Sequence, residues 1–124
     1  MGHRPVSAGR VKLKRVYEPA TPDDWTRILV DRLWPRGLSK AEARVDIWLK
    51  EAAPSTDLRR WFDHDPARWT EFRRRYQAEL QQHAPELEKL RELASQGIVT
   101  LLYGARDEQH NDAVVLLEAL LRLR

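Results

Sequence analysis

A nearly unbroken apolar run, Ile98-Val99-Thr100-Leu101-Leu102-Tyr103, is the clearest structural signal in the sequence. A run of this length and composition is typical of a strand that is buried on both faces of a parallel sheet. Helical patterns lie on both sides of it, over residues 85–96 and from about Asn111 to the C-terminus, and Gly97 is a natural helix stop. Helix, strand and helix in this order predict half of a parallel α/β unit, which a crossover onto a small sheet would complete.

Two segments nearer the N-terminus supply further strands. Residues 11–17 begin with alternating apolar and charged residues, and residues 27–34 are apolar enough for an extended segment that Pro35 stops. We predict parallel pairing among strands at about 11–17, 28–33 and 98–103, with 98–103 the most buried. Residues 45–50 also alternate and are interpreted as a strand, with a turn of helix as the alternative.

The remaining segments read as helices with recognisable starts. Ser39 begins a short helical piece, and Ser55 or Thr56 can cap the next helix. Asp65 stands before Pro66, which places a cap ahead of a proline at the first helical position. The sequence thus predicts a single α/β domain over residues 10–124, with a small, mostly parallel sheet flanked by helices in a three-layer, Rossmann-like arrangement. Residues 1–9 are interpreted as a flexible leader.

Composition narrows the class of protein. The chain has 124 residues, 33% of them charged, and no cysteine. Absence of cysteine excludes a disulfide framework, a cysteine-ligated metal and a thiol nucleophile. No run approaches the roughly 20 apolar residues of a membrane span, and no apolar signal-peptide core is present. We therefore expect a cytoplasmic protein with no membrane partner.

Net charge is +3, but the basic excess is local. Residues 1–15 hold five basic groups and no acid, so the remainder of the chain carries 17 basic and 19 acidic groups. A second basic patch spans Arg59 to Arg75, including Arg73-Arg74-Arg75. These two features support a nucleic-acid-associated protein as an alternative. The competing interpretation, which we favour, is that Arg74 and Arg75 lie on a solvated helix face and pair with Glu71 and Glu79.

Polar residues follow two of the predicted strands, where open parallel sheets usually bind ligands. Arginines in a turn fixed by Pro35 and Gly37, a glycine after the last strand and a helix N-terminus together predict a pocket for a phosphate or carboxylate. Two tryptophans beside this turn could stack on a planar ligand. The candidate ligand-binding residues are Asp31, Arg32, Trp34, Arg36, Trp48, Tyr103, Arg106, Asp107 and Asn111. The alternative is a structural network in which Arg32 and Arg36 pair with Asp31, Asp46 or Asp107.

Other chemistries have little support. The four histidines are far apart and form no helical metal pair, so no metal site is predicted. His64 and His110 could each act as an acid or base, but neither accompanies a nucleophile at a diagnostic spacing. No glycine-rich phosphate loop, nucleophile elbow or paired-carboxylate signature is present, so no cofactor is implied and catalytic residues stay unassigned.

Three segments carry a resemblance: residues 30–40 (VDRLWPRGLSK), 48–76 (WLKEAAPSTDLRRWFDHDPARWTEFRRRY) and 101–116 (LLYGARDEQHNDAVVL). They resemble the domain-of-unknown-function 488 family in its short YeaO-like branch, over about residues 11–120. Members of that family usually have Ala-Ala-Lys-Asp where this chain has Gly104-Ala-Arg106-Asp107, which retains the positive charge but not a lysine. The resemblance implies a compact α/β fold in a bacterial cytoplasmic protein, without an agreed activity.

The sequence therefore supports three hypotheses. The first is a small-ligand or anion-binding α/β domain, either a binding protein or an enzyme, that takes a phosphorylated or nucleotide-like molecule. The second is a nucleic-acid-associated protein that uses the basic N-terminus and the Arg59–Arg75 patch. The third is a structural or partner-binding module. The oligomeric state is not indicated.

Overall fold

The computed structural model describes residues 10–121 of the chain. The leader predicted at residues 1–9 lies outside this range. No helix within residues 10–121 is long and apolar enough to cross a membrane.

In the part of the chain that the structure describes, a four-stranded, all-parallel sheet forms the centre. Its strands are β1 (Val11–Arg15), β2 (Thr26–Leu29), β3 (Ile47–Trp48) and β4 (Val99–Tyr103), in the spatial order β1-β4-β2-β3. The last strand in the sequence therefore lies between the first two. The α/β fold class and the parallel pairing predicted for the three main strands are confirmed.

Strand β4 is the most buried element of the sheet, as predicted from its apolar run. All five of its residues are buried, and Leu101 is opposite Leu13 of β1 and Ile28 of β2. Its single polar side chain, Thr100, donates a hydrogen bond to the Asp24 carbonyl at 2.9 Å. Because the hydroxyl is satisfied, a threonine is tolerated inside this apolar strand.

Within residues 10–121, five α-helices pack around the sheet, and short 3-10 turns precede or follow several of them. The helices are α1 (Lys40–Ala43), α2 (Thr56–Phe62), α3 (Trp69–Leu80), α4 (Ala84–Gln96) and α5 (Asp112–Leu121). The predicted caps operate at α1 and α2: Ser39 accepts from the Glu42 amide and Ser55 from the Leu58 amide. Asp65 accepts from the Ala67 amide and so caps the 3-10 turn that leads into α3.

The two faces of the sheet are covered unequally. On one face, side chains of α2 to α5 pack on Ile28, Leu101 and their neighbours to form the main core. On the other face, Leu29 and Leu102 pack with Ala43 of α1 and with partly buried residues of the preceding loop. The sheet is thus the middle of three layers, one of them thin.

Strand β2 differs from the predicted segment 28–33. It begins at Thr26 and ends at Leu29, although the Val30 amide still donates to the Leu102 carbonyl at 3.1 Å. The chain leaves the sheet at Asp31 because the Asp31 carboxylate accepts from the Gly104 amide at 2.8 Å, which takes the place of strand pairing. The segment interpreted as a strand at 45–50 is likewise reduced to the two residues of β3, followed by a 3-10 turn at Lys50–Ala52.

A buried ion-pair cluster supports the opposite end of the sheet. Asp24 accepts from Arg27 at 2.7 Å and from Lys14 at 3.0 Å, and only Lys14 of the three side chains is more than slightly exposed. Although burial opposes ionisation, hydrogen bonds from Thr21, Lys14 and Arg27 hold the pKa of Asp24 far below its ordinary value. Lys12 pairs with Asp23 at 3.2 Å, so much of the charge of β1 is used within the fold.

Candidate functional site

A cleft of about 560 Å³ opens at the carboxyl ends of β2 and β4, next to the start of α5. The strands pair directly, so the loops that follow them meet, as the parallel arrangement predicts. Loop residues Asp31–Pro35 and Gly104–Asp107 form two of its sides, and α2, α3 and the segment after α2 form the rest. The lining residues are Asp31, Arg32, Leu33, Trp34, Pro35, Pro54, Arg59, Phe62, His64, Phe72, Gly104, Ala105, Arg106, Asp107, His110, Asn111 and Asp112.

Two carboxyl groups, those of Asp31 and Asp112, are hydrogen-bonded to each other in the cleft. Asp31 follows β2, and Asp112 is the first residue of α5. The Gly104 amide donates to Asp31, while backbone amides of Asp112 and Ala113 donate to the Asp112 carboxyl. Both residues line the cleft and are partly exposed.

The two acids hold a proton more tightly than isolated aspartates. Burial raises the pKa of Asp31, and hydrogen bonds from Asp112 and Gly104 only partly oppose that rise. Burial also raises the pKa of Asp112 well above its ordinary value, and the charge of Asp31 raises it further. Two adjacent carboxylates repel each other, so one acid keeps its proton when the other is ionised. The two side chains then share this proton in their hydrogen bond.

Arg32 is fixed against the cleft wall by backbone carbonyls. Its Nε donates to the Pro54 carbonyl at 3.0 Å and its Nη2 to the Ala53 carbonyl at 3.3 Å. It forms no ion pair with any carboxylate within residues 10–121. Carbonyl acceptors orient a guanidinium group without neutralising it, so Arg32 keeps its full positive charge.

Arg59, on α2, places a second guanidinium group in the cleft wall. Its Nε is buried and finds no hydrogen-bond acceptor among the residues that the structure describes. A buried donor without an acceptor costs about 1–3 kcal/mol. The fold thus retains an arginine whose hydrogen-bonding capacity it does not use.

The rim near α5 is a compact turn. Asp107 accepts from the amides of Gln109 and His110, and its second oxygen lies 2.9 Å from His110 Nδ1. The His110 hydrogen bond and the backbone amides lower the pKa of Asp107. Asn111 is buried and caps α5 by accepting from the Val114 amide at 3.2 Å. The helix N-terminus, which the sequence suggested as an anion site, is therefore satisfied by Asn111 and Asp112.

His64 stands at the cleft on a strained turn. Asp63 and His64 both have positive φ, at 47° and 54°, a conformation that non-glycine residues seldom adopt. The histidine lies close enough to Asp31 to favour that carboxylate electrostatically. Its ring centroid is 6.4 Å from that of Phe62.

The structure brings together six of the nine candidate residues: Asp31, Arg32, Trp34, Arg106, Asp107 and Asn111 line the cleft. The other three do not line it. Arg36 is exposed, Tyr103 is buried at the end of β4, and Trp48 lies behind Trp34 in an edge-to-face contact at 5.5 Å. Trp48 still supports the site, because its Nε1 donates to the Asp31 carbonyl at 2.8 Å.

The structural network considered as an alternative is not formed by these arginines. Asp46 accepts from the Arg27 amide, Asp31 is engaged by Gly104 and Asp112, and Asp107 by His110. Within residues 10–121, none of these three acids pairs with Arg32 or Arg36. The buried ion-pair network lies instead around Asp24, at the opposite end of the sheet.

Sequence reasoning did not select Asp112, Arg59, Phe62 or Phe72. Asp112 reads as an ordinary acid in the first turn of a helix, and Arg59 reads as part of a basic patch. The sequence contains one indication for Asp112. This residue begins the helix that follows β4, and Asp31 follows the neighbouring strand β2. Two acids after paired parallel strands are candidates for direct contact.

Within the Arg59–Arg75 patch, the three consecutive arginines of α3 form ion pairs with glutamates. Arg74 and Arg75 both donate to Glu71, which lowers the pKa of Glu71 to about 2, and Arg73 pairs with Glu118 at 2.8 Å. This supports the interpretation that Arg74 and Arg75 lie on a solvated helix face and pair with Glu71. Pairing with Glu79 is not found, because Glu79 accepts from the amide and hydroxyl of Ser55.

Comparison with known proteins gives a family but no activity. A family model described as the inactive DUF488-N3 subclade matches residues 10–123. An uncharacterized protein of Mycobacterium tuberculosis is 46% identical over 115 residues, which cover 93% of this chain and 97% of the relative. The uncharacterized protein YeaO of Escherichia coli is 46% identical over 106 residues, 86% of this chain and 92% of the relative. No solved structure matches significantly.

Proposed function

The chain belongs to the DUF488 family, and from that premise we propose that its cleft binds a small phosphorylated, nucleotide-like ligand. The observation that carries this proposal is the buried Nε of Arg59, which has no acceptor within the described part of the chain. Because this Nε has almost no accessible surface, the Arg59 side chain would rotate towards a bound phosphate, whose oxygen would then supply the missing acceptor. It would also offset the desolvation of the guanidinium group.

Two further arginines give the cleft a positive wall. Arg32 is oriented by carbonyls rather than by a carboxylate, and Arg106 is exposed at the opposite loop. Neither is paired with an acid of residues 10–121, so both retain charge for a ligand. Planar guanidinium groups bind phosphate oxygens in a bidentate manner, which favours phosphate over a halide or other small anion.

The apolar part of the cleft suits a flat group. Phe62 and Phe72 stack with ring centroids 4.2 Å apart, and Trp34 lines the loop side. Aromatic walls next to cationic groups are the usual composition of sites that take a planar ring attached to a charged group. A volume of about 560 Å³ lies within the range of small-molecule sites.

We favour binding without turnover. The matching family model is described as inactive. Asp31 and Asp112 form a proton-sharing pair, but no nucleophile with an adjacent base accompanies them in the cleft. The protein would then sense or sequester its ligand rather than convert it.

The test compares two neighbouring arginines of α2. Arg59 lines the cleft, whereas Arg60 is exposed and provides a control with the same charge change. Isothermal titration with inorganic phosphate and adenosine monophosphate should show binding that Arg59→Ala weakens by about tenfold or more. Arg60→Ala should leave the affinity unchanged.

Two results would contradict the proposal. One is equal affinity in Arg59→Ala and Arg60→Ala, which would remove the cleft from the interaction. The other is no binding of phosphate, nucleotides or sugar phosphates by the wild-type protein. Release of product during prolonged incubation would contradict the absence of turnover.

A further inference from the structure

The acid pair in the cleft has no role in phosphate binding. Two carboxyls that share one proton still carry a negative charge, which repels an anion. Yet Asp31 and Asp112 lie in the same cleft as Arg32, Arg59 and Arg106. A ligand that fills this cleft must therefore present a different chemical group to the acids.

The pair offers mainly hydrogen-bond acceptors. Asp31 and Asp112 are bonded to each other, so the shared proton is already used between them. The Gly104 amide occupies only one oxygen of Asp31, at 2.8 Å, and each carboxyl oxygen can accept twice. The remaining acceptor positions are matched by ligand groups that donate, and the partial exposure of both residues leaves them reachable.

Resting on the proposed function, we propose that the ligand is a hydroxyl-bearing phosphate ester, such as a ribose phosphate unit. Its sugar hydroxyls donate to Asp31 and Asp112, and its phosphate lies against the arginines. Vicinal hydroxyls fit two adjacent carboxyls because each hydroxyl can donate to a different acid. The cleft then binds the phosphate through its positively charged arginines and the hydroxyls through its negatively charged acid pair.

An ammonium group is the competing donor. It would be attracted by a fully ionised acid pair, but the pair here retains a proton and shares the cleft with several positive or protonatable groups. Those of the cleft are Arg32, Arg59, His64, Arg106 and His110. This surrounding charge favours a neutral donor over a cationic one.

The test uses ligands that differ only in their hydroxyls. Ribose 5-phosphate and tetrahydrofurfuryl phosphate share a five-membered ring and a phosphate, but the second lacks ring hydroxyls. Isothermal titration of the wild-type protein should show ribose 5-phosphate binding about tenfold tighter or more, because its hydroxyls donate hydrogen bonds to the acid pair that tetrahydrofurfuryl phosphate cannot make. O-phosphoserine, which carries an ammonium group, should bind no better than tetrahydrofurfuryl phosphate.

A variant then assigns the difference to the acid pair. Asp112→Asn keeps the shape of the side chain but replaces an acceptor oxygen with a donor, so the preference for ribose 5-phosphate should fall to near twofold or less. Glu92→Gln makes the same carboxyl-to-amide change at an exposed acid of α4, away from the cleft, and should keep the preference. Binding of inorganic phosphate should survive in both variants.

The outcomes separate the two proposals. Equal binding of ribose 5-phosphate and tetrahydrofurfuryl phosphate would overturn hydroxyl recognition while phosphate binding stands. Tighter binding of O-phosphoserine would replace hydroxyls with an amine. Failure of every phosphate ester to bind would overturn the proposed function itself. Should Asp112→Asn not fold, the wild-type ligand series alone decides the question.

Discussion

Asp112 shows how far a single residue can be interpreted from the sequence. An acid in the first turn of a helix is common, because it interacts favourably with the helix N-terminus. Its contact with Asp31 joins positions that are far apart in the chain, so no local spacing reveals it. Arg32, Trp34 and Arg106 were predictable because they follow strands whose carboxyl ends must meet. The sequence could not distinguish Arg36 from these residues, because the direction of its side chain depends on the conformation of the turn.

The raised pKa of Asp112 leads to a prediction about stability and pH. Folding raises this pKa, so above about pH 4 the folded state binds more protons than the unfolded state. The free energy of unfolding therefore decreases as pH rises through this range. Asp112→Asn cannot ionise and should gain stability relative to wild type as pH rises above about 4, as urea unfolding would measure. Asp57→Asn makes the same change at an exposed acid of α2 and provides the control. If the difference in unfolding free energy between Asp112→Asn and wild type does not vary with pH, burial does not raise the pKa of Asp112.

At the level of elements, strand identity was predictable and strand length was not. The apolar run of β4 and the alternation in β1 determine their type. The end of β2 depends on the bond from Gly104 to Asp31, which comes from a distant part of the chain. Likewise, β3 has only two paired residues, because the carboxylate of Asp46, which directly precedes the strand, accepts from the Arg27 amide.

The buried Asp24–Arg27 pair predicts a large effect on stability. Arg27 also donates to the Ala43 and Arg44 carbonyls, so it attaches the end of α1 to the sheet. Arg27→Ala should lower the free energy of unfolding by about 3–5 kcal/mol, because it leaves Asp24 buried with one fewer positive partner. Urea denaturation measures this, and Lys89→Ala, an exposed lysine of α4, should change little. A loss in Arg27→Ala below about 1 kcal/mol would mean that Lys14 alone compensates Asp24.

For the whole molecule, the order of apolar and helical segments was sufficient to predict an α/β domain with a parallel sheet. Charge was less informative, because counting residues does not show which ones pair. The basic residues Lys12 and Lys14 bond to Asp23 and Asp24, and Arg73 to Arg75 bond to glutamates. The positive excess seen along the sequence is thus partly cancelled on the folded surface.

This cancellation predicts weak binding of nucleic acid. Anisotropy titrations with labelled single-stranded and duplex DNA should show an affinity that falls steeply between about 50 and 200 mM salt, as non-specific electrostatic binding does. A chain without residues 1–9 should fold and should lose little specific binding. Tight, salt-resistant binding that depends on Arg73 to Arg75 would instead support the nucleic-acid-associated alternative.

The central position of the last strand has a consequence during synthesis. Strands β1 and β2 leave the ribosome long before Val99–Tyr103, yet both take their main hydrogen-bonding partner from that segment. Until it emerges, only the two-residue pairing of β2 with β3 is available. The nascent chain therefore exposes unpaired strand edges for most of its translation, a state in which chains aggregate or recruit chaperones. A chain released before Val99 is synthesised could not assemble the sheet. Correct folding of this small protein therefore depends on the last quarter of its sequence.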